Sequence, residues 1–196
     1  LGQEKLYYDV ELPLLKVLAD MQIKGFYVDK EELKSFGKKL EVDILRLTDE
    51  IYELADEEFN INSPKQLGVI LFEKLGLPVV KKTKSGYSTN VDVLEKLYEK
   101  HDIIPKIMEY RKLTKLKNTY CDGMEGLIDD EGRIHSVFNQ TVTVTGRISS
   151  TEPNLQNIPT RTELGRELRK MFTAPDDEHI LVDADYSQIE LRVLAH

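Results

Sequence analysis

Apolar side chains recur with helical spacing near the start of the chain. Residues 4 to 24 carry a cluster of them, and Gly25 stands where a helix commonly ends. The cluster consists of Leu14, Leu15, Val17, Leu18 and Met21. This pattern predicts a helix over residues 4 to 24.

A longer helix is predicted directly after this one. Asp29 and Glu32 have the three-residue spacing of a capping box, which favours a helix start at this point. The apolar residues that follow obey a seven-residue repeat, broken at Gly37, through Leu33, Leu40, Ile44, Leu47, Ile51 and Leu54. Such a repeat indicates a helix that packs along one seam against another helix.

A second long helix is predicted from Pro105, a favoured first-turn residue, to about Met124. Its apolar face would be formed by Ile107, Leu113, Leu116 and Tyr120. We expect the two long helices to form an antiparallel pair.

A smaller unit is predicted between the two long helices. Ser63, Pro64 and Gln66 form a strong helix start, and Gly76 with Pro78 ends that helix. The segment VVKKTKSGYSTN follows as a loop, and a short helix runs from about Val91 to Lys100.

The pattern changes from helical spacing to alternation after Gly126. A turn is indicated at DDEG, and Thr141, Thr143 and Thr145 alternate with Val142 and Val144, which predicts strands. A further strand is predicted at HILVDADY, from His179, with Asp185 near its carboxyl end. Ser187 and Glu190 have capping-box spacing and would open the helix IELRVLAH. This helix has no stop signal, so we expect the chain to be a piece of a longer protein.

Composition narrows the class of protein. The chain has 196 residues, 40% hydrophobic and 32% charged, as in a globular protein. It shows no apolar run of membrane-spanning length and no signal peptide, so we expect a cytoplasmic protein without membrane contact. Cys121 is the single cysteine, which excludes an internal disulfide.

Charge is distributed unevenly along the chain. The net charge is -8, yet residues 105 to 118 carry five basic side chains against Glu109 alone, whereas residues 29 to 58 carry eleven acidic against five basic. Solvated faces explain most such asymmetry, and the basic segment adds modest support for a polyanionic partner.

Four segments, in order along the chain, resemble the family A DNA polymerases of the bacterial DNA polymerase I type. They are SPKQLGVILFEKLGLP, YRKLTKLKNTY, TGRISSTEPNLQNIPTR and DYSQIELRVLAH. The resemblance implies an α+β fold in which a helical thumb with long antiparallel helices joins a partial antiparallel β-sheet palm. The implied domains are an N-terminal helix associated with the palm (1–25), the thumb (26–126) and the first part of the palm (127–196).

The resemblance also implies metal-dependent chemistry. Two Mg²⁺ ions would stabilise both the attacking and the leaving oxygen during nucleotide addition. The implied catalytic residue is Asp185, with the Asp185 side chain and the Tyr186 carbonyl as metal ligands. Spacing alone would nominate Asp183 equally, because alternate residues of a strand face the same side. The family's fingers helix and its second catalytic carboxylate are not found in this sequence.

Further site residues are carried over from the same resemblance. Gln188 and Glu190 would bind the nucleotide, Glu190 as a steric gate against the ribose 2′-hydroxyl. Arg147, Asn154, Asn157 and Arg161 would contact the primer, the template or the nearby site, where donors can meet the minor-groove acceptors of any correct base pair. Simpler interpretations remain open: Glu190 can complete a capping box, and SSTEPN can be an ordinary turn.

Basic residues supply a last set of predicted DNA contacts. Lys81, Lys82 and Lys84 lie in a loop with glycine and serine, and Lys115 lies on the second long helix. Lysines attract phosphates regardless of base sequence. An ordinary solvated loop explains the first three equally well.

Three functional classes follow: a polymerase fragment, a DNA-binding module without chemistry, and a helical domain that binds protein through its acidic face. The polymerase class agrees with all four segments. Its partners would be primer-template duplex DNA and, in the longer parent, deoxynucleoside triphosphates; the fragment alone would only bind duplex DNA.

Overall fold

The computed structural model describes residues 2–84 and 86–196. These residues divide into two compact units, one of residues 30–127 and one that combines residues 2–29 with 128–196. Helices predominate in both, and the strands form small antiparallel pairs. The fold is therefore mixed, helix-rich α+β.

Two long helical segments form the middle unit, as the apolar repeat predicts. Helix α3 covers Lys30–Ala55, and α6 covers Ile103–Leu116. A π-helical stretch, Lys117–Asp122, and the short α7, Gly123–Glu125, continue α6 without a break.

Ion pairs at both ends of these segments show that they run antiparallel. Lys34, near the start of α3, lies 3.7 Å from the Glu125 carboxylate at the end of α7. Glu50, near the end of α3, lies 2.6 Å from Lys106 at the start of α6.

The seam between them is built mainly from the predicted side chains. Leu33, Leu40, Leu47 and Ile51 are buried, as are all four predicted apolar residues of the partner segment. Near the end of α3, however, Ala55 is fully buried while Leu54 is half-buried. On a straight α-helix, positions seven residues apart are offset by about 20° around the helix axis. After three heptads the repeat has rotated away from the partner helix, so the next residue, Ala55, takes the buried position.

The smaller helices of this unit begin at the predicted residues, Pro64 and Val91. Ser63 accepts a hydrogen bond from the Gln66 amide at 3.4 Å and caps α4, Pro64–Val69, which a π-helical turn, Ile70–Lys74, extends. Asn90 caps α5, Val91–Lys96, which ends earlier than the predicted Lys100.

The predicted loop VVKKTKSGYSTN contains a short hairpin instead. Strand β2, Lys82–Thr83, pairs antiparallel with β3, Gly86–Tyr87. The Thr83 hydroxyl also donates to the Gly86 carbonyl at 3.1 Å. Two residues per strand are too few to show period-two alternation, so the pattern did not indicate them.

The other unit begins with the predicted N-terminal helix. Its parts are α1, Glu4–Leu6, a π-helical turn, Tyr7–Glu11, and α2, Leu12–Lys24. It ends at Gly25, whose φ of 64° is a left-handed conformation that glycine adopts without strain.

Two strand pairs and two helices complete this unit. Strand β1, Phe26–Tyr27, pairs with β4, Arg133–Ile134, and β5, Val137–Asn139, pairs with β6, Ser149–Thr151, all antiparallel. Helix α8 covers Glu163–Lys170 and α9 covers Ile189–Ala195.

Strands were predicted in the stretch LIDDEGRIHSVFNQTVTVTGR, and β4 and β5 lie in it, but the predicted strand through Thr141, Thr143 and Thr145 is wrong. These residues form bends and a turn between β5 and β6, and Val144 is completely exposed. The Thr143 hydroxyl closes the turn by donating to the Arg147 carbonyl at 2.5 Å. Alternation leads to a strand only when one face is buried, and here Val142 and Val144 are both mostly exposed.

The predicted strand at HILVDADY is also wrong. Residues 179–186 have no regular secondary structure, and Ile180, Leu181 and Val182 are mostly exposed. A strand needs hydrogen-bonded neighbours, and none of the described strands pairs with this segment. Asp185 therefore lies in an irregular segment rather than at a strand end.

The predicted capping box of Ser187 and Glu190 does not form. Gln188, with a left-handed φ of 53°, precedes α9, and no side chain caps that helix. The Ser187 carbonyl instead accepts from Arg192 Nε at 3.0 Å. The Glu190 carboxylate bonds to an arginine from elsewhere in the chain.

Candidate functional site

Arg147 and Glu190 meet although they lie far apart in the sequence. Arg147 Nη2 lies 3.1 Å from Glu190 Oε1, and about three-quarters of each side chain is exposed. Arg147 follows the turn closed by Thr143, and Glu190 lies in the first turn of α9. The turn and the helix thus bring one positively charged and one negatively charged side chain into contact.

An open depression of about 680 Å³ surrounds this ion pair. It also includes Asp185 and three apolar residues of α9, namely Ile189, Val193 and Leu194. The structure therefore brings together three of the predicted site residues, Arg147, Asp185 and Glu190. An arginine and two carboxylates beside an apolar wall suit a ligand with both charged and apolar parts.

The other predicted residues of this region lie next to the depression but do not line it. Tyr186 is mostly exposed, and Gln188 occupies the left-handed position before α9.

A divalent metal needs more ligands than this depression supplies. Within residues 2–84 and 86–196, no group of three His, Cys, Asp or Glu side chains is arranged to hold a metal ion. Of the two carboxylates here, Glu190 is paired with Arg147, which leaves Asp185 as the carboxylate for a cation. The described residues thus fit part of a metal site, and two-metal chemistry requires further ligands.

The predicted DNA-contacting asparagines lie on one turn. Asn154 Oδ1 accepts from the Gln156 amide at 3.0 Å and so caps a 3-10 turn, Leu155–Asn157. Asn157, at the end of the same turn, is exposed. Arg161 is exposed as well, and its carbonyl accepts from Arg166 Nη2 at 3.4 Å.

Sequence reasoning missed the residues that support this turn. The Gln156 side chain bonds to the backbone of both Ile148 and Ser150, and the Ser150 hydroxyl is buried against Ser136. Ser136 and Ser150 are each about 1% exposed. No pattern signalled them, because serine and glutamine are ordinary constituents of polar turns.

The basic hairpin presents the three predicted lysines at its surface. Lys81, Lys82 and Lys84 are exposed, and Lys82 Nζ lies 5.5 Å from the centre of the Tyr87 ring. This distance permits a cation–π interaction. Lys115 is exposed on α6.

Arg111 was not selected from the sequence, yet it supports the segment after the hairpin. Its guanidinium donates to the carbonyl and the hydroxyl of Thr89, and burial lowers its pKa. With Thr83, Tyr87 and other polar residues it lines a second depression of about 470 Å³. A packed arginine cannot be recognised from sequence as different from the exposed basic residues around it.

Comparison with known proteins identifies the family. The model of the family described as DNA polymerase family A matches residues 30–196. The chain belongs to DNA polymerase family A. This family A chain is 54% identical over 192 residues to DNA polymerase I of Caldicellulosiruptor bescii, and the match covers 97% of the chain. It is 53% identical over 195 residues to DNA polymerase I of Bacillus subtilis, with 99% of the chain covered.

The family A chain corresponds to part of these relatives, since the matches span 22% of their length. Its fold is similar to the POL domain of Pol1 from M. smegmatis, which was solved in complex with a DNA primer-template and dNTP. That likeness has a TM-score of 0.87 at 41% identity and covers 98% of this chain and 34% of that one. No helix within residues 2–84 and 86–196 is long and apolar enough to cross a membrane.

Proposed function

We propose that this chain is the part of a DNA-directed DNA polymerase that grips primer-template duplex and contributes one catalytic carboxylate. The complete enzyme would add deoxynucleotides to the 3′ end of a primer. The observation that carries this proposal is the convergence of Arg147, Asp185 and Glu190 on one depression in a chain of family A.

The two units suggest how the structural roles are divided. We assign the unit of residues 30–127 to the thumb, because it contains the long antiparallel helices and the basic hairpin. We assign residues 128–196, together with the N-terminal helix, to the palm. These assignments are close to the predicted boundaries at residues 25 and 126.

Asp185 is the proposed metal ligand, together with the Tyr186 carbonyl. Two Mg²⁺ ions, bound with ligands from the rest of the enzyme, would stabilise the charge that moves between the attacking and the leaving oxygen. Asp185 would supply a carboxylate for these ions.

Glu190 and Gln188 are the proposed nucleotide contacts. A carboxylate at the sugar 2′ position leaves little room for an extra hydroxyl, so Glu190 would favour deoxynucleotides. Its position beside Asp185 in the depression supports this role.

The proposed DNA contacts are of two kinds. Arg147, Asn154, Asn157 and Arg161 supply donors for the minor-groove acceptors that every correct base pair presents. The exposed lysines Lys81, Lys82, Lys84 and Lys115 would bind phosphates. Both kinds of contact are insensitive to base sequence, as template copying requires.

Duplex binding by the purified chain tests this proposal. We expect weak binding without sequence preference, and the affinity should fall as salt rises, because lysine–phosphate contacts release counterions. Filter binding at low and high salt, with two duplexes of unrelated sequence, measures both properties. Binding that is unchanged by salt, or restricted to one duplex, would contradict the proposal.

A DNA-binding module without chemistry is the second candidate function. For the isolated chain, a DNA-binding module is favoured because the depression has a single carboxylate available for a metal ion. Primer extension separates the two candidates in the longer protein, since only a polymerase extends the primer.

A further inference from the structure

The Gln156 side chain bonds to one edge of the backbone at Ile148 and Ser150, where strand β6 begins. Within a strand, the carbonyl of one residue and the amide of the residue two positions later point to the same edge, where a neighbouring strand would normally bind them. Here the Gln156 side chain takes that place. Its Nε2 donates to the Ile148 carbonyl at 2.9 Å, and its Oε1 accepts from the Ser150 amide at 3.2 Å.

A buried serine pair fixes the inner side of the same segment. The Ser136 and Ser150 hydroxyl oxygens are 2.6 Å apart, and Ser136 Oγ also donates to the Pro153 carbonyl at 2.8 Å. Ser150 Oγ accepts from the Leu155 amide at 3.1 Å. The turn that follows β6 is therefore bonded to β6 itself through these two side chains.

These bonds connect the segments that carry the proposed DNA donors. Arg147 directly precedes Ile148, and the Ile148 carbonyl accepts a hydrogen bond from the Gln156 side chain. Asn154 caps the 3-10 turn that contains Gln156, since its Oδ1 accepts from the Gln156 amide. Displacing the Gln156 side chain would free the Ile148 carbonyl next to Arg147, while the Ser150 hydroxyl would still hold the turn that carries Asn154.

We propose that Gln156 and Ser150 are positioning residues that hold Arg147 and Asn154 in a fixed spacing for the DNA minor groove. This inference rests on the proposed function of those two donors. A fixed spacing limits the conformational entropy that is lost when both donors bind one duplex. Both polar atoms of the Gln156 side chain are bonded within the protein, and we expect its effect on DNA to be exerted through the backbone.

The test compares Gln156→Ala with Gln156→Glu in the full 196-residue chain. Alanine removes both bonds, whereas glutamate retains an acceptor for the Ser150 amide and loses the donor to the Ile148 carbonyl. Gln3→Ala, at an exposed position of the same unit, is the matched control. Circular dichroism verifies that each variant is folded.

Two quantities are measured for each variant: hydrogen exchange of the Ser150 amide without DNA, and the Kd for duplex DNA. We expect Gln156→Ala to accelerate this exchange and to weaken duplex binding roughly tenfold, in keeping with two lost hydrogen bonds. Gln156→Glu should keep the Ser150 amide protected and have an intermediate Kd. Gln3→Ala should behave as wild type in both measurements.

Other results overturn the inference in distinguishable ways. Weaker binding with unchanged Ser150 exchange in Gln156→Ala would show that Gln156 contacts DNA directly. Faster exchange with unchanged binding would show a purely structural role. If Gln156→Ala does not fold, binding that is weakened more by Gln156→Glu than by Gln3→Glu, which adds the same charge, supports positioning, and equal binding by these two variants refutes it. A wild-type chain that binds no duplex refutes the proposed function itself, and the inference with it.

Discussion

At the scale of single residues, Arg147 and Glu190 form an ion pair with each other. The pair is exposed, and exposed ion pairs contribute about 0–1 kcal/mol. Such a bond is weak enough for DNA to break, and we expect it to compete with the proposed minor-groove contact of Arg147.

Removing the Glu190 charge should therefore strengthen duplex binding. We expect Glu190→Gln to lower the Kd by at most about fivefold, the equivalent of an exposed ion pair. Removing any negative charge favours DNA binding to some extent. Glu178→Gln, at an exposed position that forms no described ion pair, is therefore the control. Equal Kd values for the two variants would show that the Arg147–Glu190 pair does not hinder binding.

Cys121 should be unreactive in the folded chain. It is buried against Gly37, where a Cβ atom would lie only 3.3 Å from Cys121 Cβ, and burial raises the thiol pKa to about 11. Little thiolate exists at neutral pH, and only about 3% of Cys121 is exposed. We expect slow alkylation by iodoacetamide in buffer and fast alkylation in guanidinium chloride, measured by mass spectrometry. Rapid labelling of the folded chain would contradict this assignment.

Cys121 also provides a test of function. Cys121→Ser should leave duplex binding nearly intact, because the thiol packs between helices and makes no proposed DNA contact. Loss of binding in a variant that circular dichroism shows to be folded would overturn that expectation.

At the scale of elements, His135 ties the end of α2 to the region around β4. Its Nδ1 lies 2.7 Å from the Gln22 carbonyl and its Nε2 lies 2.9 Å from Asp129 Oδ2. Both partners are acceptors, so the arrangement favours the imidazolium, which donates from both nitrogens. The pKa of His135 is raised, chiefly by the Asp129 hydrogen bond and then by Gln22, although nearby Arg133 opposes it.

This raised pKa predicts a specific pH dependence of stability. A raised folded-state pKa gives stability that is fully present below the unfolded value of about 6.5 and is lost as pH rises through the folded-state value. The lowered pKa of Asp129 removes the contribution again in strong acid. The Tm advantage of wild type over His135→Gln should therefore shrink between pH 6 and pH 9, as followed by thermal melts. Asp129→Asn should reduce this pH-dependent difference, because only the Gln22 hydrogen bond would then raise the His135 pKa. A difference between wild type and His135→Gln that does not change with pH would refute the ion pair.

The seam between α3 and α6 buries many of the large apolar side chains of the middle unit. Leu47 is fully buried there, whereas Leu45 on the same helix is 59% exposed. We expect Leu47→Ala to lower the free energy of unfolding by roughly 2–5 kcal/mol, because it loses transfer energy and leaves a cavity. Leu45→Ala, with the same atoms removed, should change it by well under 1 kcal/mol. Guanidinium titrations compare the two, and similar losses would contradict the buried seam.

At the scale of the whole molecule, the chain alone should not synthesise DNA. The depression contains one carboxylate, that of Asp185, which is not paired with Arg147. Chemistry with two metal ions needs more ligands than one carboxylate. Primer extension with Mg²⁺ should therefore give no product with the purified chain. Product formation would refute the incomplete-site argument.

In a longer enzyme that contains this chain, the two carboxylates should differ in effect. Asp185→Ala should abolish extension and spare DNA binding, whereas Glu190→Ala should chiefly relax discrimination against ribonucleotides. Primer extension with deoxynucleotides and with ribonucleotides measures both effects. Normal extension by Asp185→Ala would refute its assignment as metal ligand.

Much of the helical architecture was determined by local sequence. The apolar repeat through Leu33, Leu40 and Leu47 predicted α3, and the caps at Ser63 and Asn90 mark the starts of α4 and α5. These signals are local because a helix satisfies its backbone hydrogen bonds within a single segment. The motif that contains Asp185 and Glu190 was likewise evident from the sequence, since it is continuous.

Tertiary structure decided the strands and the partners of the site residues. The alternation at Thr141–Thr145 and at HILVDADY produced no strand, because a strand needs hydrogen-bonded neighbours that its own residues cannot supply. For the same reason, no sequence pattern predicted the Arg147–Glu190 ion pair or the hydrogen bonds from Gln156 to β6. Each joins residues separated by a turn or by tens of residues. Their meeting depends on how the backbone folds back on itself, which the types of the residues alone do not specify.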